Sequence, residues 1–285
     1  MSIDDLPTPA LLIDQDRLSL NLDRMQARSR THAVKLRPHV KTHKSVRLAR
    51  EQIERGAQGI TVAKPSEAEI FVDAGFDDVR VAYPVVGKAQ LGMLLALSTR
   101  ATISFCVDTL EGAQAASDVF ERHNRVANVL IEIDTGHGRT GRAWNEGSLI
   151  RFAKKVAEMP GLNLIGLLTH EGQSYAGAPE GVELRQHLKD TMEIARDRLL
   201  SAAERLGAAG LADADTFELS MGSTPTMKFF QNHTHGGFRI SEIRPGNYAF
   251  GDAQQVMLGA STLHDCALTV LATVVSKRRV DGRER

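Results

Sequence analysis

Leu36-Arg37-Pro38-His39-Val40-Lys41-Thr42-His43-Lys44-Ser45 begins as a strand and ends in a cluster of bases. Strand side chains alternate, so Leu36, Pro38 and Val40 share one face and Arg37, His39, Lys41 and His43 the other. Val34 extends the apolar face. A strand-end lysine between two histidines on its own face contributes little to stability. The pattern leaves two readings open. One is a lysine that forms a Schiff base with a carbonyl cofactor or substrate. The other is a solvated basic strand end beside an anion site.

Working outward from this strand, strand and helix signals alternate. Strands are predicted at Ala33–Val40, Gly59–Val62, Asp78–Ala82, Thr102–Val107, Val126–Ile133, Leu162–Leu168, Thr216–Leu219 and Ile240–Ile243. An additional strand, Ala10–Ile13, precedes a helical apolar pattern over Asp14–Ala27. Ser66 with Glu69, and Asp108 with Glu111, have capping-box spacing. Gly75, Gly161 and Gly207 mark helix ends or the loops after them. Thr224–Gly237 reads as a helix with a His-rich loop.

Eight strands with intervening helices over roughly 250 residues match a (β/α)8 TIM barrel. The doubly wound sheet lacks its fingerprint, because no GxGxxG follows the first strand. The expected divisions are an N-terminal strand at 1–14 belonging to a β domain, a barrel at 15–250, and the start of a C-terminal β domain at 251–285. Cys266–Ser276 is predicted as a strand of that last piece. Val280-Asp281-Gly282 resembles the start of a hairpin turn with no room for the return strand. The β domain therefore reads as begun and unfinished, and the chain as truncated.

The chain has 285 residues, 42% apolar and 25% charged, which suits an ordinary globular protein. A net charge of zero gives no reason to expect nucleic acid or an anionic membrane. Two cysteines, Cys106 and Cys266, give neither a disulfide framework nor a CxxC metal pattern. The N-terminus has no signal-peptide core and no apolar run spans a bilayer, so the cytoplasm is expected.

Barrel active sites lie on the rim formed by the loops after the strands. The unusual polar residues fall there. Lys41 ends the first strand, Asp134–Gly141 follows the fifth, Thr169–Tyr175 the sixth, Met221–Thr224 the seventh and Arg244–Tyr248 the eighth. The last two loops suit a phosphate, since small residues let backbone N–H groups approach oxygens and hydroxyls add donors. A phosphate site together with a strand-end lysine points to pyridoxal phosphate, which needs both.

With these residues the chain resembles the fold-type III pyridoxal-phosphate enzymes, whose barrel is shared with alanine racemase, and within them the D-threonine aldolase and D-serine dehydratase group. The matching segments are Thr8–Asp14, Arg37–Ser45, Ala82–Pro84, Ile133–Gly141, Thr169–Tyr175, Gly222–Thr226 and Arg244–Phe250. The resemblance runs from Thr8 to about Ser276. It implies that Lys41, not Lys44, carries the cofactor, and the alternation agrees. It implies that His170 lies on the flat face of the ring, Arg139 near the phenolic oxygen and Arg244 at the ring nitrogen. Tyr175 would line the pocket, and Gly222, Ser223, Thr224, Gly246 and Asn247 would hold the phosphate. It further implies a lyase acting on small D-amino acids and a homodimer. The preferred activity is D-threonine aldolase; D-serine dehydratase and cofactor binding without turnover are the alternatives.

Two departures from the family pattern stand out. Some members have a tyrosine two residues before the histidine, where this chain has Leu168. The family also holds a divalent metal, Mn or Zn, through a histidine and a cysteine or aspartate in its β domain, and this sequence stops before that segment. His264-Asp265-Cys266 has the form of that pair but reads as a strand edge, and His233 and His235 as solvated loop residues. Asp134-Thr135-Gly136 occurs once, so it is read as a turn that positions Arg139 and not as a protease dyad.

Overall fold

The computed structural model describes residues 2–280 and 283–284. Its strands are β1 (Ala10–Ile13), β2 (Lys35–Leu36), β3 (Ile60–Val62), β4 (Asp78–Pro84), β5 (Thr102–Val107), β6 (Ala127–Asp134), β7 (Arg142–Ala143), β8 (Leu162–Leu168), β9 (Glu218–Met221), β10 (Glu242–Ile243), β11 (Leu268–Leu271), β12 (Arg279–Val280) and β13 (Arg283–Glu284). The helices are α1 (Gln15–Thr31), α2 (Val46–Glu54), α3 (Pro65–Asp73), α4 (Lys88–Leu97), α5 (Leu110–Glu121), α6 (Leu149–Ala157), α7 (Leu184–Ala208), α8 (Thr224–Met227) and α9 (Ala253–Met257).

The main sheet is parallel and runs β2-β10-β9-β8-β6-β5-β4-β3, with the short β7 beside β6. Its two ends meet. The Thr61 N–H donates to Pro38 C=O at 2.8 Å, and His39 bridges Thr61 in parallel. The sheet therefore curls round as the eight-stranded expectation requires. Helices pack outside through apolar stripes. In α6, Leu149, Phe152, Ala153 and Val156 are buried at one-turn spacing, and they join a core with Val129 and Ile131 of β6. The strands are buried on both faces, which explains their near-continuous Val, Ile and Leu runs.

The first predicted strand is shorter than its pattern. Only Lys35–Leu36 pairs as strand, and Val40–Thr42 is a 3-10 turn. Alternation survives as far as Arg37, His39 and Lys41 and then fails. His43 turns away to Gln52, at 3.3 Å, and to the edge of Phe250. Two caps also differ. Pro65 starts α3 with Lys64 at the N-cap, so Ser66 lies inside the helix, as a proline at the first helical position favours. Thr109 caps α5, because the Asp108 carboxylate accepts the Gly141 N–H at 3.0 Å. Between β9 and β10 only Thr224–Met227 is helical.

At the periphery, β1 pairs antiparallel with β11, Ala10 opposite Leu271. The predicted strand Cys266–Ser276 is thus four residues, Leu268–Leu271, since beyond it no strand among the described residues pairs with the chain. β12 pairs with β13, so a two-residue return strand exists, contrary to the expectation; turn residues 281 and 282 lie outside the described residues.

Candidate active site at the carboxyl rim

The loops after the barrel strands enclose a cavity of about 420 Å³. Every residue that the resemblance assigns to the site lines it: Lys41, Arg139, His170 and Tyr175, then Gly222, Ser223, Thr224, Arg244, Gly246 and Asn247. Lys44 does not. It pairs with Glu67 at 3.1 Å. The cavity also takes in Leu168, at the wall where some family members carry a tyrosine, and His39, Glu132 and Asp252, which sequence reasoning did not assign a role in the site.

Lys41 sits in the 3-10 turn after β2 with its side chain open to the cavity. Withdrawal from bulk water lowers its amine pKa, and the Arg139 and Arg244 cations lower it further against the pull of Glu67. His170 follows β8. Its Nδ1–H donates to Gly222 C=O at 2.8 Å, leaving Nε2 free. Burial pushes its pKa down to about 3, so the ring is neutral at physiological pH. His137 meets it edge-on, at 5.8 Å between centroids. The Tyr175 hydroxyl accepts the Thr224 N–H at 3.4 Å, and burial raises its pKa, keeping it a phenol.

Arg244 is buried, at 4% exposure. It donates to Thr169 C=O at 2.6 Å and to the Ser220 hydroxyl. Arg139 stands on a loop held by one carboxylate. Asp134 Oδ1 accepts the N–H groups of Gly136, His137 and Gly138 at 2.8, 2.9 and 3.1 Å. Glu132 on β6 accepts from Thr140 at 2.7 Å and lies 3.9 Å from Arg139. A carboxylate set between Ile131 and Ile133 in a strand was the signal that could have picked it out. Leu168 joins Cys106 and Leu130, so the wall where some members carry tyrosine is apolar here.

The two glycine turns fit an anion. A Cβ on Gly222 would fall 2.6 Å from Arg244 N, and one on Gly246 would fall 2.7 Å from His39 O. Only glycine lets β9, β10 and the Lys41 segment come this close. Asn247 N–H donates to the Thr224 hydroxyl at 3.0 Å, and Ser223 exchanges hydrogen bonds with Ser174 and Thr226. The carboxylate of Asp252, which lines this end, is already engaged by Asn247 at 2.6 Å and by Gln255 N–H at 2.8 Å. A lysine, hydroxyl-rich turns and a buried arginine in one cavity are the donor set that pyridoxal phosphate requires. Among the described residues, no group of three His, Cys, Asp or Glu side chains is placed to hold a metal ion. His233 and His235 face Asp197 and Glu204 at the surface, and Asp265 pairs with Arg24.

The fold and this rim cavity define a parallel α/β-barrel protein with a basic, hydroxyl-lined cavity at the carboxyl rim. Residues 13–254 match the family model described as alanine racemase, N-terminal domain. The D-threo-3-hydroxyaspartate dehydratase of Delftia sp. (strain HT23) is 36% identical over 278 residues, which cover 97% of this chain and 70% of that protein. The D-threonine aldolase of Arthrobacter sp is 34% identical over 276 residues, 96% of this chain and 69% of that one. The solved Delftia dehydratase superposes with a TM-score of 0.86 over 96% of this chain and 69% of its own; a cysteine-to-alanine mutant of it was solved in a metal-free form. The chain therefore belongs to the alanine racemase N-terminal domain family, of fold-type III pyridoxal-phosphate enzymes. These relatives, an aldolase and a dehydratase, are lyases.

Proposed function

We propose that this protein is a pyridoxal-phosphate-dependent lyase of D-configured β-hydroxy amino acids, cleaving Cα–Cβ as D-threonine aldolase does to give glycine and an aldehyde. The observation that carries the reading is the meeting of Lys41, Arg244 and the two glycine turns in one cavity. Lys41 would hold the cofactor's aldehyde carbon, His170 its ring face, Arg139 its phenolic oxygen and Arg244 its ring nitrogen. Tyr175 would line the pocket, and Gly222, Ser223, Thr224, Gly246 and Asn247 would hold the phosphate. When bound, the cofactor supplies a carbonyl for the substrate amine and a sink for the electron pair left at Cα.

The chain's own residues then set what the site can do. The lowered pKa of Lys41 leaves more of its amine neutral, ready to take or return a proton at Cα. Arg244 presents a cation to the ring nitrogen and opposes its protonation, which restricts the carbanion chemistry available. Neutral His170 packs without adding charge. The apolar wall at Leu168 excludes water from one side of the cavity. The family resemblance implies a homodimer, with residues 15–250 as the cofactor-binding barrel, and in longer relatives a divalent metal, Mn or Zn, for which the described residues of this chain offer no ligand set.

The dehydratase route is the second reading, favoured by the 36% identity to the Delftia dehydratase. Products from D-threonine and D-serine separate the two. Glycine and acetaldehyde are expected; ammonia without glycine would replace aldolase with dehydratase. A bound-cofactor spectrum that ignores every D-amino acid would reduce the protein to a cofactor binder. Borohydride trapping with peptide mapping should place the label on Lys41.

A further inference from the structure

Barrel interiors of this kind are filled by layers of apolar side chains. Here part of the interior is ionic. Glu242 on β10, 1% exposed, lies among three guanidinium groups. Its Oε2 accepts Arg37 Nε at 2.6 Å and its Oε1 accepts Arg80 Nη1 at 2.6 Å. Arg37 continues to Asp78 at 2.6 and 2.9 Å, and Arg80 to Glu218 and to Ser104 at 3.0 Å. Ser220, fully buried on β9, connects this array to the cavity: its hydroxyl donates to Glu242 Oε1 and accepts from Arg244 Nη1.

The arrangement has a direction. A serine hydroxyl has one proton and two lone pairs. Its proton is spent on the carboxylate, so its oxygen is turned toward Arg244. Burial by itself would raise the Glu242 pKa, but Arg37, Arg80 and Arg244 with Ser220 hold it down at about 2. Burial likewise pulls Arg244 down and Glu242 opposes this. Such contacts act in a low dielectric, where they count for more than at the surface.

We propose that Ser220, backed by Glu242, is the positioning residue for Arg244, fixing its guanidinium at the ring nitrogen and so controlling the cofactor's electron demand from inside the barrel. The proposal rests on the reading of Arg244 as the ring-nitrogen partner. Neither Ser220 nor Glu242 lines the cavity, and the side-chain route from them to it runs through Arg244.

The test uses the full chain loaded with pyridoxal phosphate. S220A removes the link and leaves the Arg37–Glu242–Arg80 contacts in place. E242Q weakens the array itself. Both should retain the borohydride label on Lys41. In S220A the bound cofactor's absorption band should shift and its pH midpoint should move by about half a unit or more. Cofactor affinity should fall roughly 10-fold, the scale of one lost hydrogen bond to a charged group. E242Q should move the band in the same direction with a larger loss of melting temperature. The double variant should move it less than the two single shifts added together, because the pair acts through one contact. If E242Q does not fold, S220A decides. A labelled S220A whose spectrum and titration superimpose on wild type, even with a lower melting temperature, would overturn the relay alone. Absence of the Lys41 label in the wild type would overturn the cofactor reading and the relay with it.

Discussion

Glu171, the residue after His170, is 0% exposed, and neither of its carboxylate oxygens has a well-formed hydrogen bond. Burial pushes its pKa from 4.5 up to about 7, against partial opposition from the nearby backbone N–H of Glu171, the Arg244 cation and the backbone N–H of Gly222. The unfolded chain ionises near the ordinary value. The folded chain therefore holds a proton that the unfolded chain releases, and stability falls as pH rises between the two pKa values. The contribution is fully present below about 4.5 and lost once pH has passed about 7. At about 1.4 kcal/mol per pH unit, the whole span is worth roughly 3 kcal/mol. Glu171→Gln removes the titration and keeps the shape. Its amide carries a packing cost of its own, but that cost does not vary with pH. Relative to wild type, the variant should gain about 2 kcal/mol between pH 5.5 and 8, or roughly 4 °C in melting temperature for a chain of this size. Paired melting curves across that range are the assay. A difference between the two proteins that stays flat from pH 5.5 to 8 would refute the buried-proton argument.

His170 and His43, pushed down to about 3 and about 4 mainly by burial, should both be neutral in the folded state. Their stability contribution is present above pH 6.5 and lost as pH falls through those values, so imidazole NMR signals for both should hold still from pH 8 to 5. Gly222→Ala forces a Cβ to within 2.6 Å of Arg244 N; overpacking of about 1–3 kcal/mol should cut pyridoxal-phosphate affinity by at least roughly fivefold, measured by absorbance titration. Asp134→Ala strips three N–H groups of their acceptor, and hydrogen exchange across residues 136–138 should speed up while the barrel strands stay protected.

Much of this architecture is written locally. β1, β5 and β8 occupy the predicted ranges, because short Val-, Ile- and Leu-rich runs between turn signals carry their own period. Ten residues lining the rim cavity, from Lys41 to Asn247, were also named from the sequence, because they fall in the loops after strands and in the motifs of the resemblance; Glu132, inside β6, and Asp252 were not. Helix caps and the 3-10 turn at Val40–Thr42 were not, because several side chains compete for each backbone N–H and only the folded loop decides. The turn is what sends His43 to Gln52 and leaves Lys41 at the cavity. The ionic barrel interior was equally invisible. Arg80, Ser220 and Glu242 come from three strands and Arg37 from the residue after β2, spread over more than 200 residues, and nothing in any one segment names its partners. Sequence determined which residues could be strands and which could do chemistry. Closure of the sheet determined which buried charges meet, because long-range pairing is a property of the barrel and not of any segment in it.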